Sequence, residues 1–366
     1  MINLKDLYSE EFYDELAGIL IKSIPQFDLL EYKKQIFSPA FEAYELKERM
    51  SHSARVLHHF LPDDFSEAYS FLRLIISNIE KAGITGKRLE YMFFPEYIYK
   101  YGINDYETAV QALAFVTQFT SCEFAVRPFI LKYGEPMMDQ MLIWSKHESR
   151  HVRRLASEGS RPRLPWAMSL PFLKKDPSSI LPILENLKQD PCEIVRRSVA
   201  NSLNDITKDN PQVVIEIAKK WKGISKETDG IIKHACRSLL KAADPEILSF
   251  YGLGSEKVKL NRFAIQTDKI KIGENLEFEF SITNQMDGIQ KIRLEYGLYF
   301  KRGNGSFSKK VFKISEREFA GNETCDINRK QSFRIIPTRR FYLGEHRISL
   351  IANGEEKGML VFELIE

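Results

Sequence analysis

The chain contains 366 residues, of which 43% are hydrophobic and 28% are charged, and its formal net charge is +3. This length is enough for two or more domains with complete cores, and the composition is ordinary for a soluble globular protein. No apolar run approaches the roughly 18 residues of a membrane-spanning helix, and the first 20 residues are acidic, unlike a signal peptide. We therefore expect a cytoplasmic protein with no membrane partner.

The sequence lacks the common metal and cofactor motifs. Its four cysteines are scattered and form no CxxC pair, its seven histidines form no HExxH pattern, and it has no GxGxxG or phosphate-binding loop. We expect a reducing compartment, no metal and no cofactor. Any chemistry would then rest on protein side chains alone.

The basic charge is distributed unevenly. Residues 257–366 carry 20 Lys and Arg against 15 Asp and Glu, a net charge of +5, whereas the remaining residues carry −2. A second basic stretch, residues 146–163, has six Lys and Arg against two Glu. Local patches rather than net charge govern contact with phosphates, so these two regions are candidates for binding a polyanion.

Residues 1–254 show helical periodicity and an internal repeat. The segment Val152–Ala156 has the same pattern as Val195–Ala200, 43 residues later, and a weaker copy follows at Ile232–Arg237. A period of about 40–47 residues is typical of HEAT-type solenoids, which present long concave surfaces. The sequence therefore predicts a mainly α, HEAT-like helical-repeat domain over residues 1–254.

Each of the first two copies places an arginine four residues before a polar side chain. Arg154 precedes Glu158, and Arg197 precedes Asn201, with Asp205 four residues further on. Residues at i and i+4 share one face of a helix. A basic surface that also carries carboxylates suggests an enzyme acting on a polyanion.

Residues 255–366 change to an alternating pattern typical of strands. About seven short strands, such as Leu276–Thr283 and Ile292–Tyr296, are separated by turn-forming residues. This spacing predicts an all-β immunoglobulin-like sandwich, without an intersheet disulfide because no cysteine pair stands at the right spacing. We expect this basic domain to be an accessory that clamps a polyanion against the helical domain.

Three stretches form a distinctive set: Tyr44–Met50 with Leu57–Pro62, Phe119–Phe129, and Ser149–Trp166. In sequence, order and spacing they resemble the AlkC branch of the AlkC/AlkD bacterial DNA-alkylation-repair glycosylases. The resemblance covers most of residues 1–250, and part of that branch also has a C-terminal immunoglobulin-like domain. It implies a bacterial, nucleoid-associated helical-repeat glycosylase that removes N3-methylated bases, such as 3-methyladenine and 3-methylcytosine, without turning the damaged base into a protein pocket.

Four residues match the active-site positions of that family: Glu123, Glu158, Trp166 and Asp205. Each also has a purely structural interpretation. Glu158 could pair with Arg154 on an exposed helix face, Glu123 could support a helix start capped by Ser121, and Asp205 could be an ordinary acid near a helix end. Trp166 could be a core anchor.

A larger set of basic residues is proposed to contact DNA, either along the repeats or at the tips of the sandwich. These residues are Arg154, Arg161, Arg163, Arg197, Lys233, His234, Arg237, Lys301, Arg302, Arg339 and Arg340. Arg161 and Arg163 are expected in a turn beside a helix N-terminus, which favours phosphate binding. Residues 301–310 are expected to form a hairpin tip. The alternative for each is an ion pair within the protein.

The leading hypothesis is a monomeric, monofunctional glycosylase that acts on alkylated double-stranded DNA with water as the nucleophile. No lysine stands in a recognised Schiff-base context. One alternative is a non-enzymatic HEAT-repeat DNA-binding or scaffold protein, in which the carboxylates are structural. Another is a protein-binding adaptor with no affinity for DNA.

Overall fold

The computed structural model describes residues 3–86, 88–242, 244–255, 257–335 and 340–366. The chain forms two compact units, one built from residues 1–214 and 221–235 and the other from residues 215–220 and 236–366. Among the described helices, none has the length and apolar character to cross a membrane.

The helical part comprises sixteen α-helices within the described residues. They are α1 (Glu10–Ser23), α2 (Leu29–Ile36), α3 (Leu46–His58), α4 (Phe65–Lys81), α5 (Phe93–Gly102), α6 (Tyr106–Phe119), α7 (Val126–Tyr133), α8 (Glu135–Trp144), α9 (Arg150–Glu158), α10 (Pro171–Lys175), α11 (Leu181–Leu187), α12 (Glu193–Ile206), α13 (Pro211–Trp221), α14 (Lys226–Ala235), α15 (Arg237–Lys241) and α16 (Pro245–Phe250). The prediction of a helical-repeat fold is confirmed.

The repeated sequence segments form neighbouring helices. α12 packs against both α9 and α14, the helices that carry the first and third copies of the pattern. The apolar residues predicted to face the core are buried on each: Val152 and Leu155 on α9, and Val195, Val199 and Leu203 on α12. Each of these helices therefore buries an apolar stripe against its neighbours, as the helices of adjacent repeats do in a solenoid.

The described residues of the second unit form eight strands: β1 (Val258–Ile265), β2 (Lys269–Lys271), β3 (Asn275–Asn284), β4 (Gln290–Lys301), β5 (Phe307–Phe319), β6 (Thr324–Ser332), β7 (Gly344–Ala352) and β8 (Glu355–Ile365). They form a three-stranded sheet in the order β1-β3-β6 and a five-stranded sheet in the order β2-β8-β7-β4-β5. Alternate side chains from both sheets, including Phe280 and Leu298, fill one apolar core. The immunoglobulin-like sandwich is thus confirmed, with eight strands in the part that the structure describes where about seven were expected.

The residues before β1 are bonded to the sandwich strands. The carbonyl oxygen of Gly254 accepts hydrogen bonds from Gln290 Nε2 at 2.8 Å and from Asn353 Nδ2 at 2.5 Å. Lys357 Nζ donates to the carbonyl oxygen of Ser255 at 3.0 Å. Gly254 and Ser255 are therefore anchored within the second unit.

Candidate active site

Glu158 and Asp205 are held by one buried guanidinium. Arg161 Nη1 donates to Glu158 Oε1 at 2.5 Å, and Arg161 Nε donates to Asp205 Oδ2 at 2.9 Å. All three residues are buried, with 6%, 3% and 8% of their surfaces exposed for Glu158, Asp205 and Arg161. Two carboxylates that lie 47 positions apart in the chain are thereby fixed around one cation.

This geometry differs from two expectations. Glu158 does not pair with Arg154 on an exposed face; it is buried, and its partner is Arg161. Arg161 does not lie beside a helix start along the chain, since α9 ends at Glu158 and the next helix begins only at Pro171. The side chain of Arg161 is buried because it binds the two carboxylates. Arg161 is therefore not the exposed phosphate contact that we expected.

The ends of α9 and α12 position the two carboxylates. Glu158 is the last residue of α9, and Asp205 lies in the last turn of α12. A buried hydrogen bond of 2.7 Å between Ser157 Oγ and Ser198 Oγ joins the helices. An acid at a helix C-terminus is unfavourable to the helix dipole. The positive charge of Arg161 offsets that cost at the C-terminus of each of the two helices.

Asp205 has a second cationic partner. Lys208 Nζ lies 3.1 Å from Asp205 Oδ1, so both carboxylate oxygens are engaged. Glu158 differs, because its Oε2 accepts no hydrogen bond from the described residues. Glu158 thus keeps an acceptor oxygen for a water molecule or a ligand.

Glu123 forms a separate ion pair in the turn before α7. Arg154 Nη2 lies 2.7 Å from Glu123 Oε2, and Ser121 Oγ donates to the same oxygen at 2.9 Å. Arg154 Nη1 also donates to Ser121 Oγ at 3.2 Å. Ser121 therefore orients Glu123 and does not cap a helix; the residue at the N-cap of α7 is Ala125. The capping expectation for this segment is wrong.

Arg127 is a buried cation that the sequence reasoning did not single out. It is fully buried on α7 and donates to three backbone carbonyl oxygens: from Nε to Met168 at 2.7 Å, and from Nη1 to Gly159 and Arg161 at 2.8 Å each. Its Nη2 has no partner among the described residues. Burial, together with repulsion by Arg161, lowers the pKa of Arg127 to about 10.

The Arg127 side chain thereby holds the segment of residues 159–168, which includes Arg161 and Trp166. Gly159 permits this close packing, because a Cβ there would lie 2.6 Å from Val126 Cγ1. The sequence does carry a signal for Arg127: it is the one arginine among the apolar residues of α7, three of which, Val126, Phe129 and Ile130, are buried. Such a cation needs several hydrogen-bond acceptors.

Trp166 lies on the surface rather than in the core. It is 65% exposed, and its backbone has φ of 65°, a left-handed conformation that is unusual for a residue with a bulky side chain. Lys47 Nζ donates to its carbonyl oxygen. The core-anchor interpretation is therefore wrong: the backbone is held so that the indole faces solvent.

Arg161 stays charged in this environment. Burial alone lowers the pKa of its guanidinium, but the attraction of Glu158 and Asp205 outweighs burial, and the net pKa is raised. Glu123, Glu158 and Asp205 are each paired with at least one cation, drawn from Arg154, Arg161 and Lys208. Groups of three or more His, Cys, Asp or Glu placed to hold a metal do not occur in the described part of the chain.

The other basic candidates have different surroundings. Arg163 forms two hydrogen bonds to Asp209, of 3.1 and 2.6 Å. Arg197 is exposed and pairs with Glu193 at 2.7 Å. Arg197 and His234 line the same groove between α12 and α14, where His234 Nε2 lies 2.9 Å from Asn201 Oδ1.

Lys233 is exposed on α14, and Arg237 is exposed on α15 in the second unit. The predicted hairpin tip is present, since β4 pairs antiparallel with β5 and Arg302 lies in the connecting turn. Lys301 Nζ donates to the carbonyl oxygen of Leu343 at 3.1 Å. Arg340 lies over the ring of Tyr342, 5.3 Å from its centroid, whereas Arg339 falls outside the described residues.

Both parts of the chain match known protein families. Residues 104–239 match the family described as DNA alkylation repair enzyme, and residues 259–366 match the C-terminal Ig-like domain of the uncharacterised protein YhaZ. YhaZ of Bacillus subtilis is 42% identical over 365 residues, covering 100% of both chains. The helical repeats and the sandwich therefore occur together in a full-length relative.

A solved structure matches the whole chain as well. It is the Pseudomonas fluorescens alkylpurine DNA glycosylase AlkC bound to DNA containing an abasic site analog, with a TM-score of 0.93, 32% identity and 100% coverage of both chains. A helical-repeat domain followed by an immunoglobulin-like sandwich, matched along its whole length by a DNA glycosylase, defines a class of DNA-repair proteins. This chain belongs to the AlkC branch of the DNA alkylation repair family.

Proposed function

We propose that this chain is a monofunctional DNA glycosylase that excises N3-methylated bases, 3-methyladenine and 3-methylcytosine, from alkylated double-stranded DNA. The observation that carries the proposal is the convergence of Glu158 and Asp205 on Arg161 at the ends of two repeat helices. The DNA-bound AlkC relative adds support, because an abasic site is what base excision leaves behind.

The chemistry needs little acid catalysis. An N3-methylated base is cationic and already a good leaving group, so breaking the glycosidic bond mainly builds positive charge on the sugar. Fixed carboxylates stabilise that oxocarbenium-like charge and orient the attacking water. Glu158 suits the water-orienting role because its Oε2 accepts no bond from the described residues, whereas Asp205, bonded through both oxygens, suits electrostatic stabilisation.

The paired cations fit a site that must admit a polyanion. Bare carboxylates would repel DNA phosphates, and like charges close together are costly outside water. Arg161 and Arg154 reduce that repulsion and also fix the carboxylates, so that little rearrangement is needed when charge develops on the sugar. We assign to Glu123 a supporting electrostatic role beside this pair.

Trp166 supplies an aromatic face outside the protein core. The electron-rich face of an indole attracts a cation such as a methylated base or the developing sugar charge. Because 65% of Trp166 is exposed, that face is available to DNA lying on the surface. This supports excision in which the damaged base is not turned into a protein pocket.

We further propose that a set of basic residues in the two units grips the DNA backbone. Arg154, Arg163, Arg197, Lys233, His234 and Arg237 would act along the helical units, and Lys301, Arg302, Arg339 and Arg340 on the accessory sandwich. We place the boundary between the glycosylase domain and the sandwich at residues 254 and 255. The protein would act as a monomer in the bacterial cytoplasm, associated with the nucleoid.

A second candidate function has one observation in its favour. Each of the three carboxylates is paired with a cation inside the protein, as a purely structural cluster would be. The protein would then bind DNA without cutting any bond, as a HEAT-repeat scaffold.

Free bases released from methylated duplex DNA separate the two functions. Duplexes treated with dimethyl sulfate, and oligonucleotides with a single 3-methylcytosine, are incubated with the protein, and released bases are resolved by liquid chromatography. We expect 3-methyladenine and 3-methylcytosine above the spontaneous level. Retained DNA affinity without any released base would favour the scaffold.

A further inference from the structure

A cleft of about 490 Å³ adjoins the candidate active site within the helical unit. α3 and α5 form one part of its wall, and the turn before α7 and the segment around Trp166 form the rest. Its volume lies within the range of sites that enclose a small ligand. The carboxylates of Glu123, Glu158 and Asp205 do not line it.

The cleft is joined to the active site through two of its lining residues. Phe124 follows Glu123 directly in the chain, and Trp166 is the exposed aromatic residue already described. Lys47 connects them: its Nζ lies 5.7 Å from the centroid of the Phe124 ring and donates to the carbonyl oxygen of Trp166. A ligand in the cleft would therefore lie beside DNA bound at the carboxylates.

The lining combines aromatic rings with cations. Tyr99, Phe124 and Trp166 provide the rings, and Lys47, Arg55 and Lys100 provide the positive charge. Sites for unstacked nucleotides have this composition, because every base can stack on a ring and every nucleotide carries a phosphate. The same cations would repel the positively charged methylated base, so an undamaged nucleotide suits the cleft better than the lesion.

Glu96 adds a hydrogen-bond acceptor to the cleft. It is half-buried on α5, and burial raises the pKa of its carboxyl group, against the opposing effects of Lys100, Ser51 and Lys47. The carboxylate form of a glutamate can accept a hydrogen bond from the amino group of cytosine. Thymine has no amino group, so the cleft offers a way to distinguish two bases of equal size.

We propose that this cleft binds one undamaged nucleotide of the DNA strand next to the lesion. Its base would lie against Tyr99 and Phe124, its phosphate against Lys47, Arg55 and Lys100, and its amino group would donate to Glu96. This inference rests on the proposed function, since it assumes that damaged DNA lies at the carboxylates. Holding a neighbour out of the stack would loosen the duplex at the damaged nucleotide.

The first test uses single nucleotides. Binding of dCMP, dTMP and inorganic phosphate to the full chain is measured by saturation-transfer NMR. We expect dCMP to bind more tightly than dTMP, and Glu96→Leu to abolish the difference. Tyr99→Leu and Lys100→Gln should weaken dCMP by about tenfold, whereas Lys81→Gln, an exposed lysine at the end of α4, should have no effect. Equal binding of dCMP and dTMP to the unaltered protein would overturn the base-reading cleft.

The second test separates a DNA nucleotide from a free one. Affinity is measured for duplexes with an abasic-site analogue flanked by cytosine or by thymine. We expect Tyr99→Leu and Glu96→Leu to weaken the cytosine-flanked duplex by about tenfold and to remove the preference between duplexes. Variants that lose dCMP binding but keep DNA affinity would show a free-nucleotide site and overturn the proposal.

Failure of the cleft inference can be distinguished from failure of the proposed glycosylase function. Base release by the unaltered protein tests the glycosylase, and circular dichroism of each variant checks that it is folded. If bases are released while every folded cleft variant binds both duplexes like the unaltered protein, the cleft inference is wrong and the glycosylase stands. If no base is released but the cytosine preference depends on Glu96, the catalytic proposal is wrong and the cleft stands.

Discussion

Arg161 Nε donates to Asp205 Oδ2 at 2.9 Å, which joins the turn after α9 to the last turn of α12. The same guanidinium holds Glu158, so the geometry of both carboxylates depends on one residue. Removing one member of a buried pair costs more than the pair contributes, because a charge is left without its partner.

Asp205→Asn should lower the rate of base excision by tenfold or more, since it removes a charge that stabilises the developing sugar cation. The fold should persist because Arg161 keeps Glu158, but the free energy of unfolding should fall by about 3 kcal/mol. Rates are measured in single-turnover assays, and stability is measured by urea unfolding.

Asp209→Asn is the matched control for that change. Asp209 pairs with Arg163, whose side chain is 36% exposed, so solvent screens the interaction. We expect less than about 1 kcal/mol of destabilisation and an unchanged excision rate. If the two substitutions change the free energy of unfolding and the excision rate equally, the buried position of Asp205 contributes neither extra stability nor catalysis.

Arg127→Met should release the segment that carries Trp166, because three backbone carbonyl oxygens lose their donor. We expect destabilisation of about 3 kcal/mol or more and altered iodide quenching of tryptophan fluorescence. Quenching reports on Trp166 because Trp144 and Trp221 are buried. Arg127→Lys should recover part of the stability; unchanged quenching in both variants would contradict a positioning role.

Arg154→Ala should change both the excision rate and the affinity for DNA, whereas Arg197→Ala should change only the affinity. Arg154 holds Glu123, so its loss should lower the excision rate as well as the affinity for DNA. Arg197, on an exposed face, should weaken binding to damaged and undamaged duplex alike and reduce the slope of log affinity against log salt by about one or less. An identical pattern in both variants would argue against separate roles.

Stability should fall in mild acid because of His346. This residue is fully buried among Phe300, Phe333 and Phe362, and its Nε2 has no partner among the described residues. Burial, with a smaller effect of Lys301, lowers the pKa of His346. The unfolded chain then binds the proton more readily, so stability is complete above the usual pKa of about 6.5 and falls below it.

Urea unfolding at pH 7.5 and pH 5.5 measures this effect, with His346→Leu as the comparison. His346→Leu should be less sensitive to pH than the unaltered protein, by about 1 kcal/mol over that interval. Some dependence should remain because burial also lowers the pKa values of His52 and His58. The same loss of stability in both proteins would show that His346 does not titrate as described.

Much of the fold was predictable because it follows local patterns. Helical periodicity and the 43-residue repeat gave the solenoid, and alternation with turn residues gave the sandwich. The burial of Val152 and Val195 on their helices shows the same rule. These features depend on regular spacings along the chain, which a sequence displays directly.

The pairing within the site could not be predicted in the same way. Arg154 stands at helical spacing from Glu158, yet its partner is Glu123, and the partner of Glu158 is Arg161. Side-chain partners depend on which turns the fold brings together. Arg127 could not be assigned a role for a different reason: the sequence shows an arginine on a largely apolar helix, but its acceptors lie 32 to 41 residues away.

The measurement that tests the central claim most directly is base release from methylated duplex DNA by the unaltered protein and by Glu158→Gln. The variant keeps the size of the side chain and removes its charge. We predict that the unaltered protein releases 3-methyladenine and 3-methylcytosine, and that Glu158→Gln, folded by circular dichroism and still binding DNA, does so at least about tenfold more slowly. Equal rates of release by the two proteins would contradict the carboxylate mechanism.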